Sequence, residues 1–177
     1  MTPSRVETLQ GVEILTARLS HDARGSSFGL DVPSFFDTAH HQISSLTSFN
    51  SKKGTIRGLH FQASPSPQSK IIWCLAGGIF DVLVDVRPQS TTFGCWMAVE
   101  IQPMSELAIA IPPFVAHGYQ TLADSTFVAY LLSGSRSIAD ERTLFWRDAD
   151  LDIPWPLPVS QVSPSDQAGQ PWSSLTQ

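Results

Sequence analysis

The sequence predicts an all-β fold, either a sandwich or a closed barrel. Strand-like segments recur through the middle of the chain and are separated by short stretches rich in glycine and proline. In the segment IFDVLVDVR at 79–87, apolar side chains alternate with a second face that carries Asp81 and Asp85. Helical periodicity is scarce, with short helices predicted only at 34–38 and 139–145. Many short strands bounded by turn residues are typical of sandwiches and barrels.

The predicted strands follow one another in chain order. They span residues 12–19, 42–49, 55–62, 70–76, 79–87, 95–101, 106–111, 117–122 and 126–132. The segment ASPSPQS is predicted as a loop, and Pro112-Pro113 as a break between two strands. The dipeptide Gly77-Gly78 predicts a hairpin turn between the strands on either side of it.

The last part of the chain is rich in proline and tryptophan and lacks strong periodicity. Because Trp155 and Trp172 are costly to leave in water, we expect this tail, about 146–177, to pack on the barrel core, about 42–133. A chain of 177 residues is long enough to bury a core of its own. The sequence therefore predicts a single domain over 1–177.

Composition restricts the partners of the protein. A net charge of −5 and a pI near 5.4 argue against nucleic acid or an anionic membrane surface, so a bound anion needs a local cluster of cationic side chains. The chain has no long apolar run and begins without an apolar signal segment, and we expect it in the cytoplasm. Cys74 and Cys95 are interpreted as two free thiols of a reducing compartment, with a disulfide as the alternative.

The segment GTIRGLHFQ at 54–62 combines strand character with two cationic side chains. Strict alternation places Arg57 and His60 on opposite faces, so they reach one pocket only if the strand is irregular between them. Gly58 is where a bulge or a close backbone approach could provide that irregularity. The alternative is that Arg57 is a solvated edge residue and His60 a hydrogen-bonded core histidine.

Further polar side chains lie in strands that are otherwise apolar: Lys70, Asp81, His117 and Tyr130. A barrel that points a histidine, a lysine, a tyrosine and an aspartate inward has the groups for proton abstraction next to a carbonyl. The histidine takes the proton, the lysine stabilises the enolate oxygen, and the tyrosine returns a proton from the far face. Each of these residues taken alone is also compatible with a structural role.

A metal site is the competing use of histidines in such a barrel. Metal-binding barrels of this kind carry a close His-x-His pair, whereas the adjacent pair here is His40-His41, whose side chains diverge in a strand. His60 and His117 lack a ligand at short spacing. We therefore expect no metal.

Four motifs together resemble one family. IRGLHFQ, SKIIWCLAGGIFDVLVDVRPQSTTFG, IPPFVAHGYQTL and ADERTLFWRDADLDIPWP occur in the order and spacing of the dTDP-4-dehydrorhamnose 3,5-epimerases, and the similarity runs from about Arg24 to Asp166. The resemblance implies a double-stranded β-helix jelly roll (the cupin barrel), a homodimer, and no metal or organic cofactor. It also implies epimerisation at C3, C5 or both of a nucleotide-linked 4-keto-6-deoxyhexose.

The resemblance assigns a role to each matching residue. It implies that His60 is the base, that Asp166 pairs with it, that Tyr130 is the acid on the opposite face, and that Lys70 lies near the enolate oxygen. It places Arg24 and Arg57 at the diphosphate. The less specific matches are the substrate-lining positions Gln62, Ser51 and His117, with Asp81 as a supporting residue.

The chain departs from the family pattern mainly at positions that contact the nucleotide. The departures are Gly29 in place of a glutamate, Ser45 and Thr47 in place of a glutamine and an asparagine, and Ser135-Arg136 in place of a tyrosine pair. We therefore expect either a nucleotide other than dTDP or a nucleobase that is held in a different way. Two alternatives to the epimerase stay open at this point: a non-catalytic cupin that binds a sugar nucleotide or small anion, and a metal-dependent cupin oxygenase or isomerase.

Overall fold

Two β-sheets and a two-stranded hairpin form the body of the molecule in the computed structural model, which describes residues 3–32, 43–103 and 105–175. The strands of the described residues are β1 Ser4–Arg5, β2 Glu13–Thr16, β3 Arg18–Asp22, β4 Gly25–Gly29, β5 Ile43–Ser51, β6 Thr55–Gln62, β7 Lys70–Ala76, β8 Ile79–Asp85, β9 Cys95–Ile101, β10 Leu107–Ile111, β11 Val115–Thr121, β12 Thr126–Ser133, β13 Glu141–Thr143 and β14 Gln161–Val162. One turn of α-helix, α1, spans Pro164–Gln167, and a short 3-10 helix spans Trp172–Leu175.

The first sheet has the strand order β1-β9-β8-β11-β6-β13, with β14 pairing parallel to β6. The second has the order β2-β10-β7-β12-β5, and β3 pairs with β4. Side chains from both sheets, such as Leu83 and Ile109, form one buried apolar cluster, so the core of the barrel lies between the sheets. This is the cupin jelly roll that the resemblance implies, with short helices at other positions than those predicted, and the fold class is confirmed.

The C-terminal tail covers the outer face of the first sheet. Trp172 is 1% exposed and packs against Phe93, with ring centroids 5.4 Å apart, and Trp155 contacts Phe80 at 6.0 Å. These contacts remove large apolar surfaces from water, which is the driving force expected for such a tail. The prediction that the tail packs on the barrel is therefore confirmed.

The predicted hairpin at Gly77-Gly78 is wrong. β7 pairs with β10 and β12, whereas β8 pairs with β9 and β11, so the two glycines carry the chain from one sheet to the other. Gly77 has a φ of 86°, and a Cβ on it would lie 2.2 Å from Thr126 Oγ1. Glycine is therefore required by a close approach to β12 rather than by a two-residue hairpin turn.

The helix predicted at 139–145 is also wrong, because its centre forms β13, which pairs with β6. Pairing with the end of β6 supplies backbone hydrogen bonds that a short isolated helix would have to make for itself. The predicted strand at 12–19 divides into β2 and β3, with Ala17 between them. The helix predicted at 34–38 lies outside the described residues.

The cysteines are free, with Cys74 buried and Cys95 partly buried. Burial raises the pKa of the Cys74 thiol, so it is protonated and unreactive at neutral pH. The interpretation of two free thiols is confirmed. Within the described ranges, the helices are too short and too polar to cross a membrane.

Candidate active site

The pairing between β6 and β11 is irregular at the centre of the barrel. His60 faces His117 across the ladder and Arg57 faces Tyr119, so three steps along β6 match two along β11. This extra residue brings the side chains of Arg57 and His60 to the same side of the strand, where both line one cavity. The predicted irregularity is present.

Gly58 makes this irregularity possible. Its φ is 119°, and a Cβ at this position would lie 2.5 Å from the Cα of Gly118. The backbones of β6 and β11 therefore touch at two glycines, and a larger residue would push the strands apart.

The cavity has a volume of about 860 Å³ and receives side chains from both sheets and from the tail. Phe49, Lys70 and Tyr130 come from the second sheet, and His117 comes from the first. Residues 160–167 of the tail close one wall. A cavity of this size is in the range of small-molecule sites in proteins.

His60 and Asp166 form the first of two His–Asp pairs. The Nε2 of His60 lies 2.6 Å from Oδ1 of Asp166, and the other carboxylate oxygen accepts from the backbone N–H of Gly58 at 3.2 Å. Asp166 lies in α1, where the Ser163 hydroxyl accepts from its backbone N–H. The side chain of His60 is 31% exposed toward the cavity and that of Asp166 is 4% exposed.

The carboxylate of this pair is ionised at neutral pH. Burial raises the pKa of Asp166, but the hydrogen bond and charge of His60 and the N–H of Gly58 outweigh burial and leave the pKa below its usual value. An ionised carboxylate only accepts hydrogen bonds, so Nε2 of His60 carries a proton toward Asp166, and in the neutral imidazole the lone pair is on Nδ1. The arrangement makes Nδ1 a base.

His117 and Asp81 form the second pair, in which Nε2 of His117 lies 2.7 Å from Oδ1 of Asp81. The side chains are 2% and 0% exposed, and Oδ2 of Asp81 has no hydrogen-bond partner within the described part of the chain. Burial raises the pKa of Asp81 and lowers that of His117, and their mutual attraction only partly opposes both shifts. Burial thus disfavours charge separation here.

Lys70 lies within electrostatic range of both pairs. Its Nζ donates to the backbone carbonyl oxygen of His60 at 3.1 Å. Burial lowers the pKa of Lys70 to about 8, against the opposing charges of Glu141 and Asp81. The ammonium group is therefore still mostly charged at pH 7, and it sits beside the base, where it can stabilise a developing oxyanion.

Tyr130 lies on β12 and is 9% exposed. Its ring packs edge-on against Phe49 and His117, with centroids 5.6 and 5.7 Å away. Burial raises the pKa of its hydroxyl well above the usual value, with the neighbouring Tyr119 adding to the shift. Tyr130 therefore keeps its proton at neutral pH and can donate it.

Arg57 is held in place before any ligand binds. Its Nε donates to the Ser51 hydroxyl at 3.1 Å, and its guanidinium lies 4.7 Å from the ring centroid of Phe49. A guanidinium fixed by a stacked ring loses less entropy when it binds an anion. The position suits a phosphate group.

Four of the predicted residues differ in placement from the rest. Ser51 and Asp81 lie outside the cavity lining, where they bond to Arg57 and His117, and the other two are Arg24 and Gln62. Arg24 lies on the β3–β4 turn, is paired with Asp22, and has a side chain that is 90% exposed, outside the cavity lining. Gln62 lines the cavity but bonds to the backbone of Ser137 with both ends of its amide. Its assignment as a substrate contact stays a prediction.

Sequence reasoning did not assign Arg136, Glu141 and Ser160–Val162, which also line the cavity. Arg136 is a departure from the family pattern, but nothing in the sequence shows that it pairs with Glu141 at 2.6 Å. The tail residues reach the cavity because β14 pairs with β6, a contact between distant parts of the chain.

Metal ligands are not assembled at this site. Across residues 3–32, 43–103 and 105–175, no group of three or more His, Cys, Asp or Glu side chains is placed to hold a metal ion. His40-His41 lies outside the described residues.

Comparison with known proteins identifies relatives over most of the chain. The dTDP-4-dehydrorhamnose 3,5-epimerase family model matches residues 7–174. The dTDP-4-dehydrorhamnose 3,5-epimerase of Shigella flexneri is 38% identical over 120 residues, which cover 68% of this chain and 66% of that protein. The dTDP-4-dehydrorhamnose 3-epimerase of Streptomyces niveus is 36% identical over 117 residues, covering 66% of this chain and 56% of that protein. The chain thus spans somewhat less than two thirds of the length of these relatives.

Similarity in structure covers nearly the whole chain. The crystal structure of dTDP-6-deoxy-D-glucose-3,5-epimerase from Legionella pneumophila in complex with dTDP-4-keto-L-rhamnose has a TM-score of 0.84 and 28% identity, and the match covers 96% of this chain and 95% of that one. Family model and fold agree with the motif order found in the sequence. The chain therefore belongs to the dTDP-4-dehydrorhamnose 3,5-epimerase family.

Proposed function

We propose that this protein epimerises a nucleotide-linked 4-keto-6-deoxyhexose, of the dTDP-4-dehydro-6-deoxyglucose type, at C3, C5 or both. The observation that carries the proposal is the placement of His60, Lys70 and Tyr130 around one cavity, with Asp166 ionised behind His60. A base, an oxyanion donor and a protonated acid are what removal and return of a proton next to a ketone require.

In the proposed reaction, Nδ1 of His60 removes the proton from the carbon next to the C4 ketone. The electron pair of the C–H bond moves toward the ketone and forms an enolate, whose oxygen is stabilised by the ammonium of Lys70. The proton on Nε2 stays with His60 and is held by Asp166. The hydroxyl of Tyr130 then donates a proton to the carbon from the other face, which inverts the centre.

Binding of the nucleotide is proposed to use the cations of the cavity. Arg57 is oriented by Ser51 and Phe49 and suits the diphosphate. The Legionella relative was crystallised with a dTDP-sugar, which supports dTDP as the nucleotide despite the changes at Ser45 and Thr47. Relatives include both 3,5- and 3-epimerases, so the number of carbons that react is an outcome of the test below.

We also propose that the single domain works as a homodimer. β5 is the last strand of the second sheet in the described residues, and it exposes Ile43 and Leu46 at 50% and 67%. An exposed apolar edge strand is a site where another chain can pair. Sedimentation velocity distinguishes a dimer from a monomer directly.

Deuterium incorporation tests the proposed activity. The protein is incubated in D₂O with dTDP-4-keto-6-deoxyglucose, and the sugar protons are followed by NMR, with GDP- and CDP-linked analogues as comparisons. We expect exchange at C3, C5 or both on the dTDP sugar. Binding of the sugar nucleotide without proton exchange would contradict the proposed epimerase activity. It would favour the alternative, a non-catalytic cupin that binds a sugar nucleotide.

A further inference from the structure

Tyr119 is a buried polar side chain that the proposed reaction leaves without a role. It lies on β11, is 0% exposed, and belongs to the apolar cluster between the two sheets. Its hydroxyl oxygen is buried and has no hydrogen-bond partner among the described residues. A buried hydroxyl without a partner costs stability, and a phenylalanine would fill the same space without that cost. Packing alone therefore does not account for the hydroxyl.

The neighbours of Tyr119 belong to the candidate active site. Its ring centroid lies 6.4 Å from that of Tyr130, and the two ring planes are inclined by 38°. Its partner in the β11–β6 ladder is Arg57, which is held by the hydroxyl of Ser51. The side chain of Tyr119 does not line the cavity, whereas that of Tyr130 does. Tyr119 thus lies behind the acid and out of reach of a ligand.

Both tyrosines keep their protons in the resting protein. Burial raises the pKa of Tyr119 to about 12, with the charge of Arg57 and the hydroxyl of Tyr130 opposing the shift. Burial also raises the pKa of Tyr130 well above its usual value, and the neighbouring Tyr119 adds to the shift. The hydroxyl of Tyr119 therefore has a proton to donate, and Arg57 attracts a negative charge that forms at either oxygen.

The proposed reaction creates a need for such a donor. When the O–H bond of Tyr130 breaks and its proton forms the new C–H bond with the electron pair of the enolate, Tyr130 is left as a phenolate. A buried negative oxygen is costly unless it accepts hydrogen bonds. A donor that lacks a partner before the step and gains one during it stabilises the transition state more than the ground state, and only such a difference raises the rate.

We propose that Tyr119 is a positioning residue that acts through Tyr130, donating a hydrogen bond to the Tyr130 oxygen as that oxygen becomes negative. This inference rests on the proposed function. The proton that Tyr130 gives to the sugar carbon is replaced from water in the cavity after the step. The proton that His60 removed passes to solvent, so the enzyme returns to its starting state.

The inference predicts slower inversion without weaker binding. Tyr119→Phe removes only the hydroxyl and is expected to lower kcat for epimer formation about tenfold, the effect of losing one hydrogen bond to a charged group. KM should stay within about twofold of the wild-type value, because Tyr119 does not line the cavity. The midpoint of urea unfolding should not fall, because the hydroxyl that is removed has no partner among the described residues.

One NMR experiment in D₂O separates the two halves of the reaction. With dTDP-4-keto-6-deoxyglucose, deuterium in the recovered substrate reports proton removal and return by His60, and the epimer reports proton delivery from the opposite face. In Tyr119→Phe, the ratio of deuterated substrate to epimer should rise about tenfold, because enolate formation continues while delivery by Tyr130 slows. A defect in folding or binding would lower both quantities alike and leave the ratio unchanged.

Ser105→Ala is the matched control. It removes another buried hydroxyl that has no partner within the described ranges, and Ser105 lies outside the cavity lining. This variant should keep the wild-type ratio of deuterated substrate to epimer. A raised ratio in Ser105→Ala would show that loss of a buried hydroxyl alone alters the reaction, and it would overturn the inference.

A double variant tests whether Tyr119 acts through Tyr130. Once the Tyr130 hydroxyl is gone, Tyr119→Phe should slow epimer formation no further, so Tyr119→Phe/Tyr130→Phe should match Tyr130→Phe. A slower double variant would show that Tyr119 acts independently of Tyr130, and a wild-type ratio in folded Tyr119→Phe would show that Tyr130 needs no such donor; either result overturns the inference. Both can occur while the wild type exchanges sugar protons, and only a wild type without exchange contradicts the proposed function itself.

Discussion

The molecule contains two His–Asp pairs side by side, and the difference between them is instructive. His60 and His117 are neighbours across the β6–β11 ladder, and each contacts a carboxylate within 2.7 Å. Asp166 receives an additional backbone N–H and its pKa falls, whereas one Asp81 oxygen has no partner among the described residues and the pKa of Asp81 rises because it is buried. The same two residue types thus behave differently. The His60–Asp166 pair forms a base, whereas burial disfavours charge in the His117–Asp81 pair.

Exposure separates the two pairs further. The imidazole of His60 reaches the cavity at 31% exposure, while that of His117 is 2% exposed. A ligand can therefore contact His60 much more readily than His117. We expect the first pair to act in chemistry and the second to act in stability and in the charge state of Lys70.

The largest expected effect is the loss of turnover in His60→Gln. Removing a positioned general base should slow epimerisation by about 10²–10⁴-fold, since proton transfer groups supply rate enhancements of this size. The measurement is the rate of deuterium incorporation, with circular dichroism to show that the variant is folded. A folded His60→Gln variant with a near-normal rate would contradict the assignment of the base.

The next effect is on stability and concerns the second pair. His117→Ala leaves Asp81 buried without its partner, which should cost about 3–5 kcal/mol of unfolding free energy. The same substitution at His60 should cost less, about 1–2 kcal/mol, because the Asp166 carboxylate keeps the hydrogen bond from the backbone N–H of Gly58. Urea unfolding of both variants gives the comparison, and equal losses would show that the pairs do not differ in the way their burial indicates.

Lys70 is predicted to set the alkaline limit of activity. Its pKa of about 8 implies that the ammonium is lost as the pH rises past that value. Turnover should then fall about tenfold per pH unit above pH 8, because only the protonated form stabilises the enolate. The Lys70→Arg variant stays charged, so it should be slower than the wild type but should not lose turnover above pH 8. If its pH–rate profile still falls above pH 8, the fall is due to another group.

The smallest expected effect is on the pH dependence of stability. A carboxyl group whose pKa is raised by folding stabilises the protein below its unfolded pKa and loses that contribution as pH rises through the folded pKa. Asp81→Asn removes this loss, so between pH 4 and pH 7 unfolding free energy should rise more steeply with pH than in the wild type, by at most about 1.4 kcal/mol per pH unit.

His117 acts in the same direction in that experiment. Its lowered pKa gives stability that is present above the unfolded pKa and lost on acidification, and loss of the Asp81 charge lowers its pKa further. Asp166→Asn is the control. A lowered carboxyl pKa favours the folded state at higher pH, so in this variant the unfolding free energy should rise less steeply with pH than in the wild type. Parallel curves for wild type and Asp81→Asn would show that Asp81 does not titrate with a raised pKa.

Much of the fold was readable from local pattern. β6, β7 and β9 begin and end where apolar alternation and turn residues predict, because these signals act within a few residues. The strand pairing was not readable in this way. Gly77-Gly78 has the residue type of a hairpin turn, but the neighbours of β7 and β8 come from distant segments, and those contacts decide which sheet each strand joins.

The sequence by itself determined an all-β chain with a tail that must bury its tryptophans, and the residue types for proton transfer. It also placed an irregularity at Gly58, because only glycine tolerates that φ and that approach to Gly118. The family resemblance pairs Asp166 with His60, 106 residues away, but only the tertiary structure shows the 2.6 Å contact and the burial of the carboxylate behind the imidazole. It likewise decided that Arg24 lies outside the cavity and that one His–Asp pair is open while the other is buried. The physical reason is that burial and hydrogen-bond partners set the charge of a side chain, and both come from segments far away in the chain.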